Sequence, residues 1–146
     1  MLTNLIKRTL TSQPQTAFNS LRLLSVSHSL FGEVSPDLRS RIQKLVDAND
    51  IVLFMKGTPE QPMCGFSRNA KKILEFHGVQ FKTYNVLDDD ELRQGIKEYS
   101  DWPTIPQVYV KGKFVGGSDI LLQMHKDGEI TDFLETNGIK SKFSEQ

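Results

Sequence analysis

One cysteine, Cys64, is all the chain carries in 146 residues, and that scarcity removes several kinds of protein. No intrachain disulfide framework can form, and a zinc site built from several cysteines is excluded. Net charge is also missing. Eighteen Lys and Arg balance 18 Asp and Glu, so no global field argues for nucleic acid as a partner. No apolar run approaches the roughly 18 residues that span a bilayer, so membrane insertion is not expected. With 38% hydrophobic and 25% charged residues and a mean hydropathy of -0.37, what remains is one globular domain with a modest extension.

A local absence is as telling. Residues 1–32 hold Lys7, Arg8 and Arg22 but no acid; the first is Glu33. Ser and Thr are frequent there, and Leu2, Leu5, Ile6 and Leu10 share one helical face with the polar residues opposite. Basic, hydroxyl-rich, acid-free and amphipathic describes a mitochondrial transit peptide, so 1–32 is set aside from the fold. The remaining expectation is a domain over 33–140 and a frayed tail over 141–146.

Ser35-Pro36-Asp37 reads as a helix start, with a hydroxyl cap, proline in the first turn and an acid at the positive dipole end. Helical spacing then runs to about residue 48. Ile51 to Met55 is a short continuous apolar run, as in a strand covered on both faces. A loop with Gly57, Pro59 and Pro62 leads to a helix over Ser67–His77, closed by Gly78. A second strand is expected around Phe81–Val86, then a helix opened by Asp88-Asp89-Asp90-Glu91, a hairpin turning at Lys111-Gly112-Lys113, and two closing helices near 118–127 and 129–137. The order α-β-α-β-α-β-β-α-α predicts an α/β, thioredoxin-like fold: a four-stranded mixed sheet flanked by helices.

Cys64 stands where the loop feeds a helix. A lone cysteine is often only a small buried hydrophobe. Here its neighbours are Pro62, Gly65 and Ser67 rather than an apolar stripe. Helix N-terminal N–H groups and Lys56, at the end of the preceding strand, both favour a thiolate. A dithiol oxidoreductase needs a second sulfur three residues on, and that position is Ser67. His28, His77 and His125 do not gather near Cys64 and read as structural or incidental. Trp102 reads mainly as packing.

Three segments in order resemble the monothiol glutaredoxins, the mitochondrial single-domain members above all. They are Lys56-Gly57-Thr58-Pro59-Glu60-Gln61-Pro62-Met63-Cys64-Gly65-Phe66-Ser67, Trp102-Pro103-Thr104-Ile105-Pro106-Gln107-Val108, and Gly116-Gly117-Ser118-Asp119. The resemblance covers about residues 36–140. It implies a [2Fe-2S] cluster shared between two subunits in a homodimer, with Cys64 as each subunit's metal ligand and glutathione supplying the other two thiolates, since such a cluster takes four. It implies a glutathione groove in which Lys56, Arg93 and Lys97 meet a carboxylate, Ile105 offers backbone beside a cis Pro106, and Ser118 and Asp119 take the γ-glutamyl end. Some relatives carry a second cysteine where this chain has Ser118, so an internal disulfide with Cys64 is ruled out here. The expected role is a mitochondrial matrix carrier that receives clusters from iron-sulfur assembly proteins and delivers them to acceptors. The alternative is a monothiol, glutathione-dependent reductase of protein mixed disulfides with Cys64 as nucleophile. An inert Cys64 is the third reading.

Overall fold

The computed structural model describes residues 33–144; the expected transit peptide and Glu145 and Gln146 lie outside the described residues. The first helix, α1 (Pro36–Asp47), is capped as expected, the Ser35 hydroxyl accepting the Leu38 N–H at 3.2 Å. It is followed by β1 (Ile51–Met55), α2 (Gly65–Phe76), β2 (Lys82–Asn85), a short 3₁₀ turn (Val86–Asp88) and α3 (Asp90–Ser100). The chain finishes with β3 (Gln107–Val110), β4 (Lys113–Gly116), α4 (Ser118–Lys126) and α5 (Glu129–Thr136). The sheet runs β2-β1-β3-β4, with β1 and β2 parallel and the other pairs antiparallel. This is the mixed, thioredoxin-like sheet that the element order predicts.

The fully buried β1 run is read by two cores at once. Successive side chains leave a strand on opposite faces. Ile51, Leu53 and Met55 therefore pack with Ala70, Ile73 and Leu74 of α2, Leu121 of α4 and Ile130 and Leu134 of α5. Val52 and Phe54 meet Ile42 and Val46 of α1 and Leu92 and Ile96 of α3 on the other side. Each such side chain contributes about 1.5–3 kcal/mol when fully buried, so this five-residue strand anchors both helical layers. Its C-terminal end, where Lys56 and the loop begin, is consequently among the best-fixed points of the fold.

Three boundaries differ from the sequence reading, each for a local reason. Helix α2 begins at Gly65, because Cys64 keeps an extended backbone (φ -149°, ψ 140°) and is itself the N-cap. The hairpin turns on two residues rather than three: Lys111 and Gly112 both have positive φ (51° and 76°), so Val110 pairs with Lys113. The tail does not fray over 141–144. Lys142 N–H donates to the His77 carbonyl at 2.7 Å, Ser141 is 7% exposed, and the Phe143 ring packs on Phe76 and His77. Two aromatic rings and an orphan helix-end carbonyl gave these residues something to cover, which composition alone does not reveal.

His77 and His125, separate in sequence, meet there, His77 Nε2 lying 3.1 Å from His125 Nδ1. Nδ1 of His77 is buried without a partner among the described residues, so the cheaper tautomer leaves a lone pair there and places the proton on Nε2, donating to His125. Burial, then the neighbouring His125, holds the His77 pKa below its ordinary 6.5. Folding therefore favours the neutral ring. Its contribution is complete above about pH 6.5 and is lost as pH falls below that value. Melting temperature followed from pH 8 to 5.5 should drop more steeply for the native protein than for His77→Gln; equal slopes would show that His77 does not titrate with folding.

Candidate functional site: a single thiol on a groove

The loop between β1 and α2 is held from several directions. Met63 N–H donates to the Lys56 carbonyl (2.9 Å), Thr58 and Gln61 exchange backbone bonds (3.2 and 3.1 Å), and Gly57 bridges Pro62. As β1 ends, side chains replace the ladder. Lys56 N–H donates to Ser67 Oγ at 3.0 Å, and Gly57 N–H to Asn85 Oδ1 at 2.9 Å. Gly57 has φ +92°, and an ideal Cβ there would stand 2.6 Å from the Met63 nitrogen and closer still to the Gln61 carbonyl, so only glycine fits. The position that would hold a resolving sulfur in a dithiol site is thus a fully buried hydroxyl that fastens the loop.

At the loop's end Cys64 is partly exposed, the free thiol of the chain. Its sulfur closes no capping hydrogen bond. Burial pushes the thiol pKa up, but the N–H dipoles of Ser67 and Phe66, the Lys56 charge and the Ser67 hydroxyl outweigh it, and the net pKa is below the ordinary thiol value. The thiolate is therefore more accessible than in an ordinary cysteine, which favours nucleophilicity and metal binding.

Cys64 opens on a groove of about 560 Å³. Lys56, Lys97, Ile105, Ser118 and Asp119, named from sequence as a ligand set, all line it beside Cys64. They come from the end of β1, α3, the segment before β3 and the first turn of α4. The Ile105–Pro106 peptide is cis. Arg93 departs from the expectation. It lies one turn before Lys97 and is absent from the groove lining; its Nη2 pairs with Asp90 Oδ1 at 3.2 Å, which draws the guanidinium back along α3.

Sequence reasoning missed part of the wall. Phe66, Trp102, Pro103, Thr104, Pro106, Gly117 and Ile120 complete it. Trp102 does pack, on Phe114 with ring centroids 5.7 Å apart, yet it also faces the groove. Met63, Phe66 and Ile120 are 65%, 58% and 40% exposed and form an apolar rim near the thiol. The available signal was Phe66 itself, an aromatic two residues after Cys64 and outside the apolar stripe of α2.

A thioredoxin-like sheet with one activated sulfur at a helix N-terminus, beside a groove carrying two lysines and a helix start, defines a thiol protein of the glutaredoxin class. The glutaredoxin family model matches residues 51–115. The chain is 56% identical over 105 residues to the mitochondrial monothiol glutaredoxin-5 of Schizosaccharomyces pombe, covering 70% of this chain and 72% of that protein. It is 52% identical over 109 residues to the mitochondrial glutaredoxin-related protein 5 of Danio rerio, covering 74% and 70%. Among solved structures, a monomeric truncated mutant of Trypanosoma brucei 1-C-Grx1 superposes with a TM-score of 0.66 at 38% identity, over 71% of this chain and 94% of that one. A buckwheat glutaredoxin–glutathione complex superposes with a TM-score of 0.62 at 25% identity, over 71% and 93%. This chain belongs to the monothiol glutaredoxin family, alongside the glutaredoxin-5 proteins.

Proposed function

We propose that the protein is a glutathione-dependent carrier of [2Fe-2S] clusters that acts in the mitochondrial matrix, taking clusters from assembly proteins and passing them to acceptors. The observation that carries this reading is the donor set: one activated thiol at the mouth of a groove, in a chain with no second cysteine. Among the described residues no group of three or more His, Cys, Asp or Glu could hold a metal ion. A four-thiolate cargo must therefore draw one sulfur from each of two chains and two from small thiols. The groove suits glutathione as that thiol. Lys56 and Lys97 offer charge to a carboxylate, and the α4 start offers N–H groups, with Asp119 beside them for an ammonium. The apolar rim of Met63, Phe66 and Ile120 gives a second copy a surface to meet around the shared cargo. The transit peptide expected over 1–32, and the mitochondrial names of the relatives, support the location.

The lowered thiol also suits a reductase, in which the Cys64 thiolate attacks a glutathionylated protein and a second glutathione releases the enzyme. Relative rates in the unmodified protein separate the two. After anaerobic loading with iron, sulfide and glutathione, cluster transfer to an apo-ferredoxin should proceed readily, and turnover on a small glutathione mixed disulfide should be weak. Turnover matching a dithiol glutaredoxin, with negligible transfer, would make the reductase the better reading.

A further inference from the structure

One residue of the groove's support breaks the rule of its own strand. β3 is buried along its whole length, and Gln107 within it is 0% exposed between apolar neighbours. A buried primary amide is costly unless each polar atom is paired, and an apolar side chain of similar volume would fill the site more cheaply. Gln107 is fully engaged instead. Its Nε2 donates to the Trp102 carbonyl at 3.0 Å and the Thr104 carbonyl at 3.2 Å, and its Oε1 accepts from the Tyr109 hydroxyl at 3.1 Å. Tyr109, 1% exposed, fixes which way the amide faces.

The two carbonyls belong to Trp102 and Thr104, which line the groove together with Cys64. In a trans peptide the N–H points opposite to the C=O. The Thr104–Ile105 peptide is trans, so a carbonyl drawn inward to Gln107 sends the Ile105 N–H outward. Ile105 lines the groove, and its N–H has no backbone partner among the described residues.

We propose that Gln107 is the positioning residue of this site: from inside the core it sets the 102–105 wall so that the Ile105 N–H is presented to the backbone of a peptide-like thiol. Ligand affinity then depends on a side chain that no ligand touches. This deepens the glutathione reading above and rests on it for the identity of the ligand, while the orientation of the wall is testable without one.

The decisive variant is Gln107→Met, which keeps the volume and removes both donors. It should stay fully folded at the assay temperature but melt below the native protein, because the Tyr109 hydroxyl and the Trp102 and Thr104 carbonyls lose their partner. Its glutathione dissociation constant, by calorimetry on the full chain, should nonetheless rise about tenfold, as expected when a pre-set backbone donor is lost. Tyr109→Phe should shift affinity the same way by a smaller factor. The alkylation rate of Cys64, whose loop Gln107 does not bond, should not change. The amide resonances give the ligand-free readout: the Ile105 N–H signal should shift or broaden in Gln107→Met while those of Gly57 and Met63, held by hydrogen bonds in the loop, stay in place. Glutathione affinity equal to the native protein's, or loss of affinity only in step with loss of fold, would overturn the proposal. If the native protein itself binds no glutathione, the functional reading fails; an unmoved Ile105 amide resonance would sink the positioning role independently.

Discussion

Cys64→Ser should leave a well-folded protein that holds no cluster at all. The position is an N-cap in extended backbone, and serine is among the preferred caps where cysteine closes none. The hydroxyl should therefore add about 0.5–1 kcal/mol to helix stability rather than remove any. Its pKa lies far above that of a thiol, so it presents no soft anion to iron. Anaerobic reconstitution of the native chain with glutathione should yield a coloured species with two chains, two glutathiones and one cluster by native mass measurement. The variant should remain colourless and monomeric, with a melting temperature no lower than the parent's. A stable cluster in the serine variant, or a native holo monomer free of glutathione, would defeat the ligand arithmetic on which the carrier reading stands.

Gly57→Ala should be the most damaging single methyl added near the site. Positive φ strains any L side chain there, and the new Cβ would press on the backbone of Gln61 and Met63, which cannot yield without opening the loop. Urea unfolding should show a loss of about 1–3 kcal/mol or more, in the range for strain at a special backbone position. Glutathione binding should weaken with it, since Lys56 and Cys64 are the loop's two ends. Gly65→Ala is the matched comparison. An added Cβ meets nothing within 4 Å at that helix start, so stability should stay within about 0.5 kcal/mol of the parent. If both alanines behave alike, the Gly57 corner is not the fixed element described here.

Much of the arrangement was legible because local chemistry and the global fold agree. The apolar run Ile51–Met55, the Ser35 cap and the acid-led start of α3 each announce one element, and the element order then leaves few topologies. Six of the seven expected site residues meet on one groove: five sat in motifs at element ends, and Lys97 was named from its spacing on a helix face and lies in the last turn of α3. What escaped depends on partners remote in sequence. Arg93 shared a helix face with Lys97, yet the Asp90 carboxylate holds it elsewhere. Trp102 reads mainly as packing because an indole packs well in either role. The His77–His125 pair and the docking of 141–144 require α2, α4 and the tail to be brought together first. Gln107 was visible only as part of a motif, and its geometry supplies the physical reason for an amide inside a strand.

The docking of the last residues sets practical limits on handling the protein. The clasp of Lys142 and Phe143 covers the far end of the helix whose near end carries the sulfur. Trimming the chain before Ser141 would leave two rings and a helix-end carbonyl bare, creating an artificial sticky face unrelated to the rim around Cys64. An affinity tag or reporter appended after residue 144 keeps that clasp intact, whereas one fused at 139 would report the association of a wounded surface.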